Sequence, residues 1–288
     1  KDTKPPKIFD PHDKHWFEIW NDVFMEYNKT ENGTFEKLKQ KNVDTGMGVE
    51  RTSAMLQGKS SVYDTETFQP IINEIEKLSK KKYHESEAIS RSMRIIADHL
   101  KASVFIIGDG IVPSNTEQGY VLRRLIRRAI RYGKKLGLIH FIKKIANVVI
   151  DMYPEYEELD KNKSKIIAEL EKEEGRFEKI IVDGLKVAGK IFKTKIPLEK
   201  DKFIALMRKE NKSKILRDVY RNKREHKTYD IKELKISEEE IDKATITEKE
   251  SFDLYQSYGF PIEMITELVR EKNLLVDIEG FHQEYEKH

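Results

Sequence analysis

The chain reads as an α+β protein: a small antiparallel sheet comes first and a mainly helical region follows. Three observations carry this. Apolar and polar residues alternate at period two only ahead of Glu50, helical spacing governs nearly everything after Lys80, and Val43-Asp44-Thr45-Gly46-Met47-Gly48-Val49-Glu50-Arg51 passes from one period to the other. A length of 288 residues suits roughly two domains. The boundary falls at Lys80–His84, where Lys80-Lys81-Lys82 reads as a solvated linker, giving segments 1–82 and 83–288.

The elements follow in order. Phe17 to Asn28 is aromatic and β-branched, with Ile19, Asn21, Val23 and Met25 on one face. Glu31-Asn32-Gly33-Thr34 supplies a hairpin turn, since asparagine–glycine tolerates positive φ at both central positions. Phe35 to Leu38 returns as a second strand and the glycine stretch from Val43 makes a third. A helix then runs from Thr52 through Leu56 to Gly58, and another from Thr65 to Leu78. Beyond the linker, Ala88–Ile107 has helical periodicity, and Gly108 to Asn115 is a loop by its glycines and proline. Helices are expected over Gln118–Leu136 and Ile139–Met152, then a long amphipathic pattern over 155–192. Its seam is Ile166, Leu170, Phe177, Ile181, Ala188 and Phe192. Lys195–Thr247 alternates lysine, arginine and glutamate around Phe203-Ile204-Ala205-Leu206-Met207 and reads as a charged insertion, a solvated face or an arm. The remainder reads as short helical pieces.

Hydrophobic content of 38% against 36% charged permits a core under a highly charged surface. With 54 basic and 51 acidic residues the net charge is +3, too small to identify a partner, so charge distribution has to carry that argument. The absence of cysteine excludes disulfides and thiolate metal sites and fits a reducing cytoplasm. No apolar run reaches membrane-spanning length, and Lys1–Phe9 lacks a signal-peptide core. The expectation is a soluble cytoplasmic protein, or a piece of one, with no membrane partner.

Glycine inside a strand lets a ligand lie close against the backbone. Gly46 and Gly48 leave one face of their strand bare, Asp44 stands just before them, and Arg51 sits where strand becomes helix. This stretch resembles motif 3 of the class II aminoacyl-tRNA synthetases, and the residues around it are similar to the alanyl family. The resemblance implies an ATP-dependent ligase that activates L-alanine and transfers it to the 3′ end of tRNA(Ala), with ATP entering as its magnesium complex. Two anions, a carboxylate and the α-phosphate, must be brought together, so cations and fixed geometry supply most of the chemistry. On the family pattern, Arg51 binds ATP over a floor of Gly46 and Gly48 and serves as the catalytic residue. Asp44 pairs with the amino group of alanine, and Asn21, in Glu18-Ile19-Trp20-Asn21, helps hold the same molecule beside Gly46. Met47 and Val23 are candidate walls for the methyl pocket. No zinc or other metal site is expected: the family's editing domain has no counterpart here, and His12-Asp13-Lys14-His15 reads as loop decoration.

The second constellation runs from Val112-Pro113-Ser114-Asn115 into Arg123-Arg124-Leu125-Ile126-Arg127-Arg128. From Gln118 to Ile150 there are nine lysines and arginines and no acid. Arg123, Arg127 and Arg131 fall on one helical stripe, with Arg124, Arg128 and Lys135 beside it and Leu122, Leu125, Ile126 and Ala129 as the buried stripe. A basic stripe on a balanced protein is the footprint of a phosphate backbone. The stretch is similar to the alanyl tRNA-recognition domain, which implies acceptor-stem contacts for Asn115, Arg123, Arg124, Arg127, Arg128 and Arg131. Alanine tRNAs carry a G·U wobble pair whose guanine amino group is a free donor in the accessible minor groove. The family brackets it with an asparagine, here Asn115, and an aspartate in a Leu-Tyr-Asp-Thr-Tyr-Gly-Phe-Pro motif. This chain has Leu254-Tyr255-Gln256-Ser257-Tyr258-Gly259-Phe260-Pro261, so Gln256 stands in the aspartate's place.

The resemblance spans about residues 16–192 and 250–285. Motifs 1 and 2 belong before residue 1, so segment 1–82 is expected to be the C-terminal half of a class II catalytic core, and segment 83–288 the acceptor-stem domain with an insertion at 195–247. Three readings stand: a fragment of such a ligase or one subunit of a split one, partnered by the missing N-terminal half; a non-catalytic tRNA-binding module; or a structural helical scaffold.

Overall fold

The computed structural model describes residues 16, 18–210 and 236–288. His12, His15 and the centre of the charged segment, residues 211–235, lie outside the described residues. The chain divides into two compact units, Lys1–Asp98 and His99–His288, the division falling inside a helix.

In the first unit, β1 (Trp20–Lys29) and β2 (Phe35–Met47) form one antiparallel hairpin rather than the expected three strands. Gly33 takes a φ of 79°, and Thr30 N donates to Thr34 O at 2.9 Å to close the turn. The expected break after Leu38 survives only as a bulge: Lys37 to Asn42 on β2 faces Met25 to Tyr27 on β1. That stretch holds no glycine or proline to reverse the chain, so the extra residues bow out and the strand continues. Helix α1 (Val49–Leu56) starts from an extended Gly48 and is closed by Gly58 at φ 63°. Helix α2 (Gln69–Ser79) begins later than expected, because Val62–Asp64 winds into a 3₁₀ turn that Thr65 Oγ1 holds by donating to Val62 O at 2.6 Å. Ile71, Ile72 and Ile75 are its buried apolar residues, with Ala54 of α1 and Phe68 buried as well. Helix α3 (Glu87–Gly108) carries the chain into the second unit.

There, α4 (Glu117–Lys135), α5 (Ile142–Asp151), α6 (Glu157–Lys161) and α7 (Lys163–Lys193) follow. After them come α8 (Lys200–Glu210), α9 (Glu238–Ala244), α10 (Glu248–Tyr258), α11 (Ile262–Arg270) and α12 (Ile278–Lys287). The long α7 is the hub, packing against α4, α5, α6 and α10. Its expected seam holds at Ile166, Leu170, Phe177, Ile181 and Ala188, which are buried, but not at Phe192, which is only half-buried, and Glu173 and Glu174 are buried with the seam. The expected all-helical remainder also contains a parallel pair, β3 (Thr245–Ile246) with β4 (Leu275–Val276), each too short to show a period in sequence. The described ends of the charged segment are built into this unit. Leu198 N donates to Asn273 O at 3.0 Å, Lys195 pairs with Glu250 at 2.7 Å, and Phe203 and Leu206 are buried. Among the described residues no helix is long and apolar enough to cross a membrane.

Glycines on α7 separate packing from propensity. A Cβ on Gly184 would lie 2.6 Å from Cζ of the fully buried Phe260, whereas one on Gly189 would meet nothing within 4 Å. Gly184→Ala is therefore expected to destabilise by about 1–3 kcal/mol through overpacking. Gly189→Ala should stabilise by up to about 1 kcal/mol through helix propensity. Thermal unfolding of the two variants side by side checks both signs.

Candidate functional site

The first candidate site lies on the hairpin. Cross-strand partners share a face, and the register pairs Asn21 with Gly46 and Val23 with Asp44. Asn21, Val23, Asp44 and Gly46 therefore lie together. The register also pairs Trp20 with Met47 and Phe24 with Val43, which puts those four on the opposite face. The expectation that Met47 and Val23 wall one pocket is thus corrected: an odd offset from Gly46 turns Met47 away. Asp44 is exposed and, among the described residues, has no hydrogen-bond or ion-pair partner. Gly46 is bare where it needs to be, since a Cβ there would sit 3.2 Å from Asn21 Oδ1.

The switch from strand to helix occurs at Gly48, ahead of the change expected after Glu50, so that Arg51 lies within the helix rather than at the junction. Gly48 N still completes the ladder to Ile19 O at 2.8 Å, while Gly48 O accepts from Thr52 N at 2.8 Å as the first helical bond. Arg51, in the first turn of α1, lies back across Gly48: a Cβ on that glycine would touch Arg51 Cδ at 3.2 Å. Its Nη1 donates to Glu18 O at 2.9 Å, and the Glu18 carboxylate accepts from Asn21 Nδ2 at 3.1 Å. Glu18 thus ties the arginine to the asparagine. Glu18 has no expected role, because its place three residues before Asn21 carries no signal of a contact with α1.

The second candidate site is the start of α4. Asn115 is exposed on the loop before the helix, where Ser114 N donates to Gly119 O at 3.0 Å. Gln256 is exposed on α10, next to Tyr255, whose ring packs 5.5 Å from those of Phe281 and Tyr285.

The arginines between them depart from expectation. A stripe of Arg123, Arg127 and Arg131 facing solvent is expected; instead Arg127 is 8% exposed and Arg131 only 2%. Arg127 Nε donates to Glu173 Oε1 at 2.7 Å, and its guanidinium carbon lies 5.0 Å from the centre of the Phe177 ring. Arg131 bridges Glu267 of α11 and Glu271 at that helix's C-cap, each at 2.6 Å. Lys135 reaches Glu271 at 2.6 Å, while Arg124 pairs with Glu263 and Arg128 with Glu267. A buried guanidinium needs a carboxylate, and the acid-free run of α4 after Glu117 is answered from α7 and from α11 with its C-cap. The signal was present in the spacing: Glu263, Glu267 and Glu271 recur every four residues, in step with Arg124, Arg128, Arg131 and Lys135. Arg123 is half-buried and stays close to the loop, donating to Asn115 Oδ1 and, at 3.3 Å, to Pro113 O. Lys134 is the fully outward cation of the last turn.

A family model described as tRNA synthetases class II (A) matches residues 2–209 and 221–288, which takes in most of the charged segment. Among curated proteins, the alanine–tRNA ligase of Borrelia hermsii (strain HS1 / DAH) is 42% identical over 277 residues, covering 95% of this chain and 39% of the relative. That of Treponema pallidum (strain Nichols) is 39% identical over the same shares. The ligase of Pediococcus pentosaceus is 35% identical over 292 residues, covering 100% of this chain and 28% of the relative. The chain thus spans about two fifths or less of the length of these relatives.

The ion pairs make two expectations. Arg131→Ala leaves Glu267 and Glu271 short of a partner and should cost about 3–5 kcal/mol in urea denaturation, while Lys134→Ala should change stability by less than about 0.5 kcal/mol. Burial works to raise the Glu271 pKa, but the Lys135 hydrogen bond and the charges of Arg131 and Lys135 outweigh it and hold the group below its ordinary 4.5. A lowered carboxyl stabilises the fold above the ordinary value and loses that contribution as pH falls through the lowered one. Stability measured against pH should therefore fall on the acid side of 4.5, and Glu271→Gln should flatten that fall.

Proposed function

The chain belongs to the class II tRNA synthetases (A), and on that premise we propose that it is the part of an alanine–tRNA ligase that bears one wall of the alanine- and ATP-binding pocket and the surface that docks the tRNA(Ala) acceptor stem. The observation that carries the reading is the shared hairpin face of Asn21, Asp44 and Gly46, with Arg51 folded over Gly48 at its end. Asp44 is the anion for the α-ammonium of alanine, a charge-assisted pair. Asn21 stands opposite Gly46, so the amino acid lies flat over the bare backbone between them. Arg51 offers a planar fork that both stacks on a base and grips phosphate oxygens. Magnesium arrives with ATP, held mainly by the phosphates.

The other wall of the pocket and the cover for the apolar hairpin face come from the part of the ligase that this chain does not span. The whole acts in the cytoplasm. In the helical unit, Asn115 and Gln256 meet the bases, Arg123, Arg124 and Arg128 lie nearest the phosphates, and Arg127 and Arg131 act from inside by fixing the helix.

Alanine-dependent ATP–pyrophosphate exchange tests the first half. The chain alone is expected to give none. Complemented by the upstream half of an alanine–tRNA ligase it should give exchange, which Arg51→Ala lowers about a hundredfold or more in kcat/KM. Asp44→Asn should raise the KM for alanine by about thirtyfold or more, the scale of losing one partner of a desolvated charge pair. Exchange by the chain alone, or an unaffected Arg51 variant, overturns the assignment. Binding to an acceptor-stem minihelix tests the second half: it should weaken with salt, and Arg124→Ala should reduce the salt slope by about one. Minihelix binding with no exchange after complementation would leave a tRNA-binding module.

A further inference from the structure

We propose that Glu173 is a positioning residue that ties the Asn115 side chain and the end of the helix bearing Gln256 to one buried anchor and directs the amide nitrogen of Asn115 outward as a hydrogen-bond donor. The inference rests on the acceptor-stem reading above and deepens it. Glu173 is 1% exposed, and its Oε1 serves two arginines: Arg127 Nε at 2.7 Å, and Arg123 Nε at 3.5 Å, near enough for ion pairing though not hydrogen-bonded. Each arginine then reaches outward from that carboxylate. Arg123 donates through Nη1 to Asn115 Oδ1 and through Nη2 to Pro113 O. Arg127 donates through Nη1 to Gly259 O.

Gly259, at φ 59°, closes the helix on which Gln256 lies one turn earlier, and a Cβ there would run into the Arg127 guanidinium. The residue that follows Gly259 packs on α7 as well. Phe177, one turn beyond Glu173 on α7, stacks on Arg127, and Gly184 receives the ring of Phe260. The Asn115 loop and the end of α10 are thereby each one arginine away from a single oxygen.

Arginine has donors and no acceptor. The atom of Asn115 that it holds is therefore the amide oxygen, whichever way the amide is drawn, and the amide nitrogen is left to face a ligand. Asn115 then offers Nδ2 to an acceptor on a base edge, such as a carbonyl oxygen or a ring nitrogen, and its oxygen, with one of its two lone pairs taken by Arg123, is the weaker of the two amide acceptors for the guanine amino group. That donor falls to the Gln256 carbonyl, the acceptor of the pair. Discrimination needs both groups at fixed positions, which is what a buried shared carboxylate supplies.

The test measures binding of the 288-residue chain to two minihelices that differ only in a G·U or G·C pair. Glu173→Gln keeps shape and loses charge. It is expected to lower the G·U preference by about fivefold or more, the scale of one good base contact, while G·C affinity and the salt slope stay as they were. Asn115→Ala should lose the same preference, and the double variant no more than either alone, since the two act as one unit. Arg123→Lys keeps the charge but loses the fork on Asn115 and Pro113, and it should reproduce the loss even if Glu173→Gln fails to fold. If Asn115→Ala erases the preference while Glu173→Gln and Arg123→Lys retain it, the positioning role is overturned and the base reading stands. If the unaltered chain shows no preference, or Asn115→Ala leaves it intact, the base reading falls and the positioning role falls with it.

Discussion

A guanidinium taken out of water must find a carboxylate, and the helical unit is arranged around that requirement. Leu122, Ile126 and Ala129 bury one stripe of α4, and with the helix so turned Arg127 and Arg131 go inside too. Helix α7 brings Glu173, and α11 and its C-cap bring Glu267 and Glu271, to the heights those guanidinium groups require. Buried ion pairs are weak sources of net stability but strict about geometry, so their effect here is on register. Next to Glu173, Glu174 does the same for α5: it accepts from Phe141 N at 3.0 Å and Ile142 N at 3.3 Å at that helix's start. Burial, with Glu178 adding to it, pushes the Glu174 carboxyl up against those backbone donors. Two neighbouring glutamates, about 100° apart around α7, tie helices on two of its sides.

The hairpin unit poses the opposite problem. Its polar face gathers Asn21, Asp44 and Gly46, and the reverse face shows Trp20 and Phe24, which are 58% and 81% exposed, with Val43 and Met47. A lone two-stranded ribbon is marginal in water, and an apolar face of this kind marks a surface that something covers. The α7 seam is buried within its own unit, whereas this face is not. That contrast supports reading the hairpin as part of a larger sheet, with the pocket completed from the far side.

Much of this was legible in the sequence wherever the signal was local. The passage from strand to helix, the Asn32-Gly33 turn and the seam of α7 each depend on neighbours within a turn or two; the turn is found where expected, the helix starts at Val49, three residues ahead of the expected Thr52, and the seam holds at all but Phe192. The failures have a common cause. Whether Leu38 and Val43 belong to one strand or two depends on what β1 offers opposite them, and β1 offers only Met25 to Tyr27 across a bulge. The face of Met47 depends on register, and two-residue strands such as Thr245–Ile246 have no period to read. The acid-free run on α4 suggested an outward stripe because its counter-charges lie far along the chain, in α7 and α11. Composition within a window cannot see them, though the matched four-residue spacing of Glu263, Glu267 and Glu271 could have been set against it.

The inward arginines also bear on selectivity. Nine cations on an uncompensated surface would attract any polyanion, since phosphate attraction carries no sequence information. Pairing Arg127 and Arg131 inside the fold, and Arg124, Arg128 and Lys135 against α11, removes much of that field from the surface. Asn115 and Gln256, both exposed, carry amides that are neutral and directional. A surface of this kind gains less from charge than its sequence promises and depends more on the placement of a few hydrogen-bonding groups. The carboxylate that neutralises Arg127 is also the one nearest Arg123, so the interaction that removes charge from the surface also holds the Asn115 loop in place.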